Sequence, residues 1–205
     1  MKRVGPLMIA SLACTMATPS FAATFGFKNI TGNNALDAAI GEAQLFVDVN
    51  NGGPTVTFTF RNDGPNASVI SEIYFDDGSL LGISSITDNP PTVDFVTDAN
   101  PPDLPGGNLI NPPFVVTAGF LAEAVPAPSM TGVGPGESVD ITFDLMGGAT
   151  LQDVINQLND GSLRIGIHVI AFDSGGSESF VTPEPTSLAL LALSGAFLIH
   201  RRRRG

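Results

Sequence analysis

Two short stretches carry oxygen ligands of the kind a hard cation takes. Asp48 and Asn50 stand in Asp48-Val49-Asn50-Asn51-Gly52-Gly53, and Asp76 and Asp77 in Asp76-Asp77-Gly78. Carboxylates and amide oxygens clustered at a turn are what Ca²⁺ binds, so calcium is the one cofactor for which the chain offers candidate ligands. Neither stretch has the alternating acids and closing Glu of an EF-hand loop. Asp, Asn and Gly are also the residues a turn needs for backbone reasons alone. His168 is the only histidine in residues 23–182, so any histidine-based triad or three-histidine metal site depends on it. It alternates out of phase with Leu163, Ile165 and Ile167, which places it on the second side of a sheet in a structural role. No Gly-x-Ser-x-Gly elbow, P-loop or paired Cys/His motif occurs. Nothing in the sequence singles out two of the acids as a glycosidase pair. No catalytic or cofactor-binding residue is assigned, and no enzyme is expected.

The elements that must position these residues are strands. The chain has 205 residues, with 23 Gly and 16 Pro but only 14% charged residues, which suits short strands punctuated by turns. Val56, Phe58 and Phe60 alternate with Thr55, Thr57 and Thr59, and Arg61-Asn62-Asp63-Gly64-Pro65 closes that strand. Val139, Ile141, Phe143 and Leu145 alternate with Asp140, Thr142 and Asp144, and Leu163 to Ile170 repeats the pattern. Period-two alternation of this kind marks sheets with one face on a core. Further strands are expected near 43–49, 68–75, 80–86, 92–96 and 113–121, with weaker ones at 24–28 and 177–181. Thr150-Leu151-Gln152-Asp153 resembles a capping box, and Leu151, Val154, Ile155 and Leu158 form a helical stripe ended at Asp160-Gly161. The proline-rich stretch 88–113 is expected to be mostly a surface loop. The fold class is therefore all-β, an antiparallel β-sandwich with one short helix.

Both ends carry sorting signals. Met1-Lys2-Arg3, an apolar run from Val4 to Met16 and small residues through Ala23 make a secretory signal peptide, with cleavage expected after Ala22. Cys14, the only cysteine, leaves with it, so disulfides and thiolate sites are not expected in the mature chain. At the other end, Pro183-Glu184-Pro185 leads into an apolar stretch from Ser187 to Ile199, and Arg201, Arg202, Arg203 and Arg204 follow His200. The stretch reads as a short transmembrane helix, and arginines directly after it anchor that end on the cytoplasmic side. The plan is thus a signal peptide over 1–22, an acidic β-sandwich domain over 23–182 and a sorting signal over 183–205. Lys28, Arg61 and Arg164 are the three bases left to residues 23–182 against nineteen acids, a formal charge of −16. Such a surface repels nucleic acid and anionic membrane.

The C-terminal arrangement closely resembles the PEP-CTERM sorting signal of Gram-negative bacteria: a Pro-Glu-Pro motif, a short apolar helix and an arginine tail, in a chain with a signal peptide. The resemblance covers residues 183–205. It implies recognition of Pro183, Glu184 and Pro185 by an exosortase, transient anchoring in the membrane, and processing of the tail, with general secretion machinery as the other partner. It also implies delivery to the cell surface or the extracellular matrix. Within the body, Glu72-Ile73-Tyr74-Phe75-Asp76-Asp77-Gly78, Leu163-Arg164-Ile165-Gly166-Ile167-His168-Val169 and Gly175-Gly176-Ser177-Glu178-Ser179-Phe180 are similar to segments of uncharacterised PEP-CTERM proteins, which carry no assigned activity. The expected role is structural or adhesive. The alternatives are a Ca²⁺-dependent carbohydrate-binding module acting on surface polysaccharide and, after it, a secreted glycoside-active enzyme. The single Tyr74 and the absence of Trp weigh against sugar stacking on aromatic faces.

Overall fold

The computed structural model describes residues 23–76, 81–89, 92–97, 103–117 and 121–183. The expected signal peptide, Asp77, Glu184, Pro185, the apolar stretch and Arg201 to Arg204 lie outside the described residues. In chain order the strands are β1 (Ala23–Gly26), β2 (Lys28–Asn29), β3 (Leu45–Asn51), β4 (Thr55–Asn62), β5 (Val69–Asp76), β6 (Leu81–Asn89), β7 (Phe95–Thr97), β8 (Leu121–Ala124), β9 (Ser138–Leu145), β10 (Arg164–Ile170) and β11 (Glu178–Val181). They form two antiparallel sheets, one in the order β1-β3-β4-β9-β6 and one in the order β2-β11-β10-β5-β8-β7.

The alternation in the sequence is the cause of the layering. Val56, Phe58 and Phe60 of β4 and Val139, Ile141 and Phe143 of β9 point inward from the first sheet, and all are fully buried. Ile73 and Phe75 of β5 and Ile165, Ile167 and Val169 of β10 meet them from the second sheet in one core. Phe75 packs edge-on against Phe58 at 5.3 Å and Phe143 at 4.7 Å between ring centroids, the geometry that aromatic quadrupoles favour. The two sheets thus face each other across a single apolar layer, as in a β-sandwich.

Among the described residues three α-helices are present where one was expected in the body. The capping box of α3 (Leu151–Asp160) forms, with Thr150 and Asp153 satisfying each other's backbone N–H groups and Gly161 taking the left-handed conformation at its end. A four-residue helix, α2 (Pro128–Thr131), and a ten-residue helix, α1 (Ala35–Gln44), are additions. The start of the strand expected near 43 falls inside α1, because Asn34 caps Leu36 N and Asp37 N and launches a helix that runs straight into β3. The buried positions of α1 are Asp37, Gly41 and Gln44, a helical spacing occupied by polar and small residues, so no apolar stripe announces it. The strand expected over 113–121 is also corrected. Residues 113–117 are irregular and β8 starts at Leu121, because Phe114 and Thr117 attach this segment to Gly107 O and Phe75 O instead of to a ladder. The loop expected over 88–113 holds the end of β6, β7 and a 3-10 turn at Gly107–Leu109.

Candidate functional site

The outer face of the six-stranded sheet carries the chemistry. Glu72, Tyr74 and Asp76 alternate outward along β5, and Arg164, Gly166 and His168 do so along β10. Antiparallel pairing then lines up side chains that are far apart in sequence. Glu123 of β8 lies opposite Glu72, Glu72 lies opposite His168, and His168 lies opposite Ser179 of β11. The result is one row across four strands, Glu123–Glu72–His168–Ser179. Directly opposed residues sit about 5 Å apart at Cβ, so each member of the row senses the next.

Segment 103–117 covers the neighbouring row. Leu104 and Phe114 pack on Tyr74, Leu121 and Val181 in a second, smaller apolar cluster. Gly166 makes that approach possible: a Cβ there would stand 2.6 Å from Leu104 Cδ2 and 3.1 Å from Phe114 Cζ. Arg164, only 6% exposed, clasps the strap from below. Its guanidinium donates to Pro112 O at 2.8 Å and Pro113 O at 2.7 Å, pairs with Asp76, and lies 5.4 Å from the Phe114 ring centre. Asp76 Oδ2 also accepts from Val115 N at 3.1 Å.

The first row holds a carboxyl displaced from its ordinary range. Glu72 is 8% exposed and accepts one hydrogen bond from Tyr74 Oη at 2.7 Å. Burial drives its carboxyl above the ordinary range; the tyrosine donor pulls it back, and the charge of Glu123 adds to the rise. The Tyr74 hydroxyl is pushed up as well, first by burial and then by its bond to Glu72, with the charges of Glu72, Glu123 and Asp103 behind it. His168, half-buried with Nδ1 3.1 Å from Ser179 Oγ, is held below its ordinary value by burial, partly offset by the charge of Glu178. It therefore stands in the row as a neutral imidazole near neutral pH.

Glu178, at the far end of the same sheet, shows the opposite design. It is completely buried, yet Asn29 Nδ2 at 2.9 Å, Asn33 N at 3.2 Å, Asn34 N and the Thr31 hydroxyl all donate to it. Burial raises its carboxyl, but the bonds from Thr31, Asn29, Asn34 and Asn33 outweigh burial and hold it below the ordinary value. It fixes the turn that starts α1.

The two calcium stretches lie apart, and Asp77 is outside the described residues. Asp48 and Asn50 belong to β3 and Asp76 to β5, in different sheets. Asp48 Oδ2 accepts from Arg61 Nε at 2.8 Å and Oδ1 from Thr24 Oγ1 at 2.5 Å. Burial raises this carboxyl, but Arg61 and Thr24 together hold it below the ordinary value. Asn50 stands half-buried opposite Thr57. Among the described residues no group of three or more His, Cys, Asp or Glu is placed to hold a metal ion. Two grooves lie away from the carboxyl row. One of about 420 Å³ is bordered by Lys28, Ile110, Val181 and Pro183, and one of about 360 Å³ by Asn51, Gly53, Thr150 and Gln152.

Sequence reasoning named Asp76 as a calcium candidate and His168 as a structural histidine, and it did not single out Glu72, Glu123 or Glu178. The alternation of Glu72, Tyr74 and Asp76 against Ile73 and Phe75 was a usable signal that these three share a face. Pairing with Glu123 required the strand order. Comparisons with protein-family models, with curated proteins and with solved structures find no match to this chain.

Proposed function

We propose that the chain is an exported surface or extracellular-matrix protein, sorted through residues 183–205 by an exosortase, whose acidic β domain has a structural or adhesive role. The supporting observation is the exposure of Pro183. Thr182, 3% exposed, is tied to β10 by donating from its N–H to Ile165 O at 2.9 Å and accepting from Ile165 N on Oγ1 at 3.1 Å. Pro183, the next residue, is exposed. Pro183, the first residue of the motif, thus borders a groove it shares with Lys28, which agrees with a motif that a processing enzyme reads.

The charge distribution supports the same reading. Each of the three body cations is matched locally, Lys28 with Glu42, Arg61 with Asp48 and Asp63, and Arg164 with Asp76. What remains on the surface is negative, a state that keeps exported domains dispersed and away from nucleic acid. The arginines at Asp48 and Asp76 also engage the carboxylates that a calcium-dependent lectin would need free.

The test is the intact mass of the protein from its native host. The expected mass lacks residues 1–22 and the arginine tail, and a variant carrying Pro183→Ala, Glu184→Ala and Pro185→Ala keeps the tail. A wild-type mass that still includes Arg201 to Arg204 would overturn processed sorting and leave a simple membrane anchor.

A further inference from the structure

We propose that the outside of the strap, residues 104–117, rests on the surface of a zwitterionic lipid bilayer while the chain is anchored there. The contact presupposes that residues 183–205 anchor the chain in a membrane, as proposed above, and it gives the face beside that anchor its partner.

The strap has two kinds of apolar side chain. Leu104 and Phe114 are buried in the cluster with Tyr74, Leu121 and Val181 and hold the strap to the sheet. Leu109 and Val115 are 65% and 64% exposed, and Pro112 and Pro113, between them in sequence, are exposed as well. Phe114 N donates to Gly107 O at 2.9 Å, so both exposed side chains belong to one closed loop. Residues 104–117 contain no Asp, Glu, Lys or Arg, in a body with a formal charge of −16. An exposed apolar patch of this kind marks a contact surface. Its backbone also suits a poorly hydrated place. Pro112 and Pro113 have no N–H to satisfy, Arg164 donates to both of their carbonyls, and Val115 N is bonded to Asp76 Oδ2. Groups paired in this way need no water when lipid displaces it.

The occupant follows from where the chain leads. Ile110 and Asn111 of the strap border the same groove as Pro183, and the apolar stretch begins at Ser187. Extended chain from Pro183 to Ser187 covers at most about 14 Å. A body tethered so closely turns the neighbourhood of Pro183 toward the bilayer, and the strap belongs to that neighbourhood. Charge selects the lipid. The acids of the body oppose anionic headgroups, whereas the strap adds none. Asp103 precedes it, and Asp76 beneath it is bound by Arg164. Lys28, paired with Glu42 yet exposed on the rim of the groove, offers a cation to a headgroup phosphate. Contact there keeps Pro183 at the bilayer surface for as long as the anchor is intact.

The chain has no Trp, so a single introduced one reports its own surroundings. The full chain carrying Leu109→Trp is reconstituted in phosphatidylcholine vesicles with brominated acyl chains, and flotation shows whether it is anchored. Met130→Trp is the control. Met130 is exposed on α2, which leads into Val133 opposite Ile70, near the end of β5 away from Asp76. Quenching in Leu109→Trp is expected to be at least about twofold that in Met130→Trp, with emission shifted to the blue. Val115→Trp is expected to behave as Leu109→Trp does, and it decides the test if the first variant does not fold. Anchored chains with equal quenching at positions 109 and 130 would overturn the lipid contact and leave the anchor standing. Chains that do not float would overturn the anchor, and the contact with it. A blue shift at position 109 that grows with protein concentration and is insensitive to bromine would overturn the lipid contact in favour of a second copy on the strap.

Discussion

Glu178 and Glu72 are two buried glutamates on one sheet, yet their carboxyls are shifted in opposite directions. Four groups donate to Glu178 from a single turn, Asn29, Thr31, Asn33 and Asn34, so its charge is the feature around which the turn is built. Glu72 receives one donor, from Tyr74, and faces another acid. The difference teaches that burial alone does not determine the protonation of a carboxyl. Burial raises both; the number of donors decides the direction of the net shift. The Glu178 end is an ionic staple, and at the Glu72 end the carboxyl is displaced toward its neutral form. His168 stands between them and is acted on by the charge of Glu178.

The most severe way to break this contrast is Glu178→Ala. It leaves the Asn33 and Asn34 N–H groups, the Asn29 amide and the Thr31 hydroxyl without their acceptor, and a loss of about 3 kcal/mol or more of unfolding free energy is expected. Urea denaturation near neutral pH measures it. A loss below about 1 kcal/mol would mean that water replaces the carboxylate without strain and that the staple reading is wrong.

A middle-sized effect sharpens the contrast through pH. The carboxyl of Glu178 is lowered in the fold, so its contribution is present above the ordinary glutamate value of 4.5 and lost as pH falls through its folded value. The carboxyl of Glu72 is raised, so its contribution is present below 4.5 and lost as pH rises through its folded value. Glu72→Gln is therefore expected to stabilise the protein by about 1 kcal/mol near neutral pH and to lose that advantage in acid. Thermal melts of variant and wild type across pH show whether the two curves converge on the acid side. Convergence on the alkaline side instead would reverse the assignment.

The smallest effect is expected at His168. Its imidazole is lowered in the fold from 6.5, so the unfolded chain takes up the proton first, and stability is lost as pH falls below 6.5. His168→Gln should remove a few tenths to about 1 kcal/mol of that acid sensitivity while changing little above neutral pH. A variant as acid-sensitive as wild type between pH 6.5 and 5 would show that His168 does not titrate on unfolding.

Local periodicity carried much of the architecture. The clean alternation of Thr55 to Phe60, Val139 to Leu145 and Leu163 to Ile170 was readable because each strand has one face against the core, and period two is then imposed on the residues themselves. Thr150 and Asp153 announced α3 for the same local reason, since a capping box satisfies its own backbone. Helix α1 was hidden because its inward positions, Asp37, Gly41 and Gln44, pack through a hydrogen-bond network and close contact instead of apolar burial. Gln44 reaches Asn62, Asn66 and Ser68, and a Cβ on Gly41 would stand 2.2 Å from the Phe180 ring. The segment near Phe114 read as a strand because it is apolar, yet its apolar side chain covers the outside of a sheet.

By itself the sequence determined the β-rich class, the acidic surface and the strand faces on which Glu72 and His168 lie, because each of these follows from composition or from neighbours two to four residues away. The tertiary structure alone decided that Glu123 stands against Glu72, that Asp76 holds an arginine, and that Glu178 is enclosed by the turn before α1. Those outcomes depend on strand order and register. They join residues roughly 50 to 150 positions apart, and no local pattern records such a pairing.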